Sequence, residues 1–73
     1  MRRSDIFLIE SELSRHSLFL NGRELATFAT LDSAEAEANR IANRAAPGTS
    51  LRFELDFRWT LSDLEIRAAT VDA

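Results

Sequence analysis

Side-chain catalysis needs a nucleophile, a base and a group that orients them, and this chain is short of all three. It contains no cysteine, lysine or tyrosine, and one histidine. That histidine, His16, lies between Arg15 and Ser17 in a stretch that reads as a polar turn, where an imidazole is solvated. Carboxylate pairs are the other source of acid–base chemistry. Glu10 and Glu12 share a strand face, and Glu35 and Glu37 lie in the first turns of a helix. Such a pair works only if burial raises one pKa, and both pairs are expected to face solvent. Gly22 falls in a hairpin turn and Gly48 beyond a helix end, so no glycine loop cradles phosphate. One imidazole and no thiolate make no metal cage. No catalytic residue, metal or cofactor is expected, and the chain reads as non-enzymatic.

All nine basic residues are arginine, and the net charge is −3. Arginine forms planar, bidentate contacts with carboxylate and phosphate, but an acidic chain has no overall field that attracts nucleic acid. An RNA-binding sheet sets aromatics among basic residues on its open face. Here Phe53, Phe57 and Trp59 alternate with Arg52, Glu54, Asp56 and Arg58, so aromatics and charges fall on opposite faces. Nucleic acid is a disfavoured partner. No apolar run approaches the ~18 residues of a membrane span. Asp5, Glu10 and Glu12 interrupt what would be the apolar region of a leader after Arg2-Arg3. The expectation is a cytoplasmic protein of a bacterium or bacterial virus, with no membrane contact.

The elements that would carry any surface are readable. The 73 residues form one domain, residues 1–73. At roughly 0.05–0.15 kcal/mol per residue its stability is about 4–10 kcal/mol. Small folds often recruit a staple, and without cysteine a second subunit is the one left. The helix is the plainest element. Leu31, Ala34, Ala38, Ile41, Ala42 and Ala45 form one stripe. Thr30, Asp32 and Ser33 are possible N-caps, Asp32 with Glu35 has capping-box spacing, and Pro47-Gly48 ends the helix. Glu37 and Arg40 can pair along its flank.

Ile6 to Leu13 and Ser17 to Leu20 read as strands apolar on both faces in their Ile6–Ile9 and Leu18–Leu20 parts. Asn21-Gly22 is a hairpin turn, and Arg23 to Phe28 returns. Ser50 to Trp59 alternates apolar and charged, as a strand with one core face. For the last segment, Ser62 to Glu65 has capping-box spacing and Leu64, Ala68 and Val71 share a helical face. A short C-terminal helix is therefore expected, with a fifth strand as the alternative. Asp72-Ala73 is expected to fray. The fold class is α+β: a three- to five-stranded, mainly antiparallel sheet with one amphipathic helix on one face, in the order β-β-β-α-β. The segment Gly22 to Ala38, with Phe28 just before a capped, alanine-rich helix, resembles small uncharacterised bacterial domains of hairpin–helix–strand order. That resemblance implies the architecture and assigns no activity.

A fifteen-residue helix spans about 22 Å and roofs two to three strands at ~4.8 Å spacing. The first two strands offer apolar side chains to both faces. Phe19, with either Ile6 and Leu8 or Phe7 and Ile9, is left for the far face, and Trp59 ends the fourth strand as core or interface. These six residues are the candidate interface, and a homodimer is the expected partner arrangement. The leading reading is an interaction module that associates with itself. A nucleic-acid-associated regulator and a small accessory inhibitor from a bacterial virus are the alternatives.

Overall fold

A computed structural model describes residues 4–55 and 64–72. Among the described residues five strands form one antiparallel sheet with a single helix packed on one face. In chain order they are Ser4–Glu12 (β1), Arg15–Leu20 (β2), Arg23–Phe28 (β3), the helix Leu31–Ala45 (α1), Glu54–Leu55 (β4) and Leu64–Asp72 (β5). The sheet order is β3-β2-β1-β5-β4, which puts β1 at the centre.

The β2–β3 hairpin turns at Asn21-Gly22, both at positive φ (52° and 83°), as a tight two-residue turn requires. Asn21 also pins the turn onto β1. Its Oδ1 accepts from the Ile6 N–H at 2.9 Å, its own N–H donates to the Ile6 carbonyl at 2.9 Å, and its Nδ2 donates to Asp5. The β1–β2 connection is tighter than expected. Arg15 and His16 belong to β2, and Leu13 at φ 41° carries the turn with Ser14.

Thr30 is the N-cap of α1. Its Oγ1 accepts from the Ser33 N–H at 3.2 Å, so neither Asp32 nor the Asp32–Glu35 box performs that role. Asp32 in the first turn and Arg44 in the last suit the helix dipole. Ala46 ends the helix by donating to the Ala42 carbonyl, and Gly48 takes φ 88° just beyond. Ala34, Ala38 and Ala42 are fully buried. Their small side chains bring the helix axis close to the sheet, where it packs over β1, β2 and β3. Phe7, Ile9, Leu18, Phe53, Ala69 and Val71 complete the core beneath them, with Leu20, Phe28, Leu31, Ile41 and Leu51 packed around it.

Two elements differ from expectation. The C-terminal helix is instead strand β5, which pairs with the whole of β1, from Ser4 opposite Asp72 to Glu12 opposite Leu64. A helix there would leave one side of a nine-residue central strand without hydrogen-bond partners. That cost outweighs a capping-box spacing whose first half, Ser62-Asp63, lies outside the described residues. Asp72 is paired with Ser4, so the ladder reaches that far. The strand expected over Ser50 to Trp59 is, among the described residues, only Glu54–Leu55, and Asp56 to Trp59 lie outside them.

Residues 49–53 are held by side chains of the helix flank. Asn43 Nδ2 donates to the Thr49 carbonyl at 2.9 Å, and Asn39 Oδ1 accepts from the Leu51 N–H at 2.6 Å. Arg67 on β5 donates from Nη2 to the Phe53 carbonyl at 2.9 Å, while its Nη1 sits 2.9 Å from Glu35 Oε2.

Candidate protein interface

Alternation along β1 sorts its side chains onto two faces. Phe7, Ile9 and Ser11 point under the helix and are buried. Ile6, Leu8, Glu10 and Glu12 point the other way. Register extends that second face across the sheet: Leu8 lies opposite Phe19 and Ala68, and Glu10 opposite Ser17 and Ile66. Its centre is therefore apolar, made of Ile6, Leu8, Phe19, Ile66 and Ala68. Ile6 is 50% exposed on the middle strand, and the other four are half-buried.

Of the six residues picked from sequence, Ile6, Leu8 and Phe19 share this open face. Phe7 and Ile9 do not belong to it: they are core residues beneath α1, at 2% and 0% exposure. Trp59 lies outside the described residues. Ile66 and Ala68 were missed because a helical reading of 62–71 removed them from the sheet. A signal for the correct face was present in β1. The even positions continue into Glu10 and Glu12 and the odd ones into Ser11, so the odd set is the one a core accepts.

The open face has a polar margin. Glu24 lies opposite Phe19 on β3, and Glu54 opposite Ala68 on β4. Arg15 Nη2 pairs with Glu12 Oε2 at 3.4 Å, with both side chains exposed. The register of β2–β3 shifts between Leu18 and Phe19, which leaves Leu25 as an extra residue on that edge. Such a bulge, with Arg23 and Glu24 beside it, discourages edge-to-edge pairing.

The chemical candidates sit elsewhere. His16 is half-buried on the helix side, with Nδ1 2.7 Å from Ser11 Oγ. Ser11 is 7% exposed, so that hydroxyl has no open approach, and among the described residues the ring has no carboxylate partner to orient it. Glu35, expected at the surface, is half-buried against Arg67. The approach is an ion pair without the alignment of a hydrogen bond to Oε2. Glu37 receives a fork from Arg40, with Nε to Oε1 at 2.8 Å. The hydrogen bond and charge of Arg40 hold the Glu37 carboxyl below its usual range, and Glu37 in turn raises the guanidinium. Arg15, Arg40 and Arg67 are thus engaged by carboxylates of the same chain. Among the described residues no group of three His, Cys, Asp or Glu is placed to hold a metal, and no helix is long and apolar enough to cross a membrane. Comparison with known proteins finds no matching family model, no similar curated protein and no similar solved structure.

Proposed function

We propose that this chain is a non-enzymatic interaction module that pairs with a second copy of itself through the sheet face opposite the helix. One observation carries the reading: Ile6 is half-exposed at the centre of the sheet, in a patch with Leu8, Phe19, Ile66 and Ala68. Four strands of six to nine residues, at ~4.8 Å spacing and ~3.3 Å rise, make a face about 19 Å wide and about 20–30 Å long. Two such faces of the order of 500 Å² bury about 1,000 Å² together, the size at which a specific interface begins. An isologous dimer uses the same patch twice, so apolar centres meet while the glutamates of the margin stay at the rim.

Sedimentation velocity at micromolar concentration tests this. A species of twice 8.2 kDa is expected, reverting to 8.2 kDa when Ile6→Glu or Leu8→Glu puts charge in the patch. A wild-type chain that sediments only as the 8.2 kDa monomer up to millimolar concentration would overturn the reading. A monomer whose mobility changes with generic RNA or DNA at low salt would favour the nucleic-acid alternative.

A further inference from the structure

We infer that Glu10 gates the association, holding it weak at neutral pH and strengthening it as the solution becomes acidic. This rests on the self-pairing reading above. Glu10 lies on the central strand, two residues from Leu8 on the same face, and is half-buried. Its neighbours across the ladders are Ser17 of β2 and Ile66 of β5. It is therefore set into the patch, whereas Glu24 and Glu54 stand at its two edges. Among the described residues the face offers it little compensation. On β1 the nearest charge is Glu12. On β2 it is Arg15, diagonal to Glu10 and engaged by Glu12. On β3 and β4 the register-aligned charges are Glu24 and Glu54. Leu64, Ile66, Ala68 and Thr70 of β5 carry none.

A twofold contact over Leu8 takes water from both copies of Glu10. An ionised carboxylate that loses water without gaining a partner is costly, and a proton removes the cost. The dimer then binds more protons than two monomers, so by linkage association tightens as pH falls toward the carboxylate range. His16 lies on the opposite, helix-facing side of the sheet, against Ser11.

Sedimentation equilibrium at pH 7.5 and 5.5, on wild type and Glu10→Gln, is the test. For wild type the dissociation constant is expected to fall at least tenfold between the two pH values. Glu10→Gln is expected to dimerise at least tenfold more tightly than wild type at pH 7.5, with most of the pH dependence gone. Three results overturn the inference and leave self-pairing intact. One is a wild-type dimer of constant affinity. Another is a Glu10→Gln dimer that keeps the full pH dependence. The third is a weaker Glu10→Gln dimer, which means that Arg15 turns to pair with Glu10 across the interface. Monomers throughout, in both proteins at both pH values, overturn the self-pairing reading as well.

Discussion

Ile6 and Ile9 are the same residue on the same strand, three positions apart, with opposite fates. Ile9 is fully buried beneath three alanines of α1, and Ile6 is half in water on the other side. Their local sequences are equally apolar. What separates them is the helix, which adds a second layer to one face of the sheet. The lesson is that an apolar strand of this kind does not declare its core side by hydrophobicity alone. The charge of the residues further along the strand, and the arrival of a covering layer, decide it.

That contrast can be broken most severely by truncation. Ile9→Ala is expected to cost about 2–5 kcal/mol, the range for deleting a fully buried aliphatic side chain, read as a drop in urea midpoint. Ile6→Ala is expected to cost less than about 1 kcal/mol under conditions where the chain is monomeric. Equal costs would mean that the two faces are equally covered.

The next largest effect concerns the tie between the covered face and the returning chain. Arg67 and Glu35 are about a quarter exposed, at 25% and 26%. Arg67→Met would leave Glu35 and the Phe53 carbonyl without their partner, at a cost of about 1–3 kcal/mol. Adding Glu35→Gln should recover part of that loss. A double-mutant cycle with no coupling would show that the Arg67–Glu35 pair contributes nothing, leaving residues 49–53 to the Asn39 and Asn43 hydrogen bonds and Phe53 packing.

Thr30→Ala removes the side-chain acceptor that starts the helix and should cost about 1 kcal/mol in thermal or urea unfolding. Because the fully buried residues of α1 are all alanines, loss of its cap should also speed amide exchange on β1 and β2 beneath it.

The smallest effect lies on the outer side of the helix. Glu37 is depressed by Arg40, so its contribution is present above the ordinary carboxylate pKa and is lost as pH falls through the lowered value. Carboxyl NMR shifts should show Glu37 titrating below the usual carboxylate range, and Arg40→Ala should return it to that range.

Much of this molecule is written locally. Asn21-Gly22 announces its hairpin because both residues tolerate positive φ. Leu31 to Ala45 shows its stripe, its acidic start and its proline-glycine stop. Glu37 and Arg40 meet because three residues separate them on a helix. The open face was only half legible: Ile6, Leu8 and Phe19 were visible as apolar, but Phe7 and Ile9 looked equivalent to Ile6 and Leu8. Ile66 and Ala68 were hidden by a segment whose spacing suits a helix as well as a strand. In the sequence Glu35 reads as a surface residue, because its partner, Arg67, lies far along the chain and nothing in the spacing links them.

By itself the sequence determined the hairpin, the bounds of the helix and the α+β class. These follow from short-range φ preferences and side-chain periodicity. The tertiary structure alone decided that β5 is a strand, that β1 lies at the centre, and that Ile6 rather than Ile9 meets solvent. The first two depend on β1 completing its hydrogen bonds with a segment some sixty residues away, because backbone groups at the middle of a sheet must be paired on both sides; the third depends on α1 covering one face and not the other.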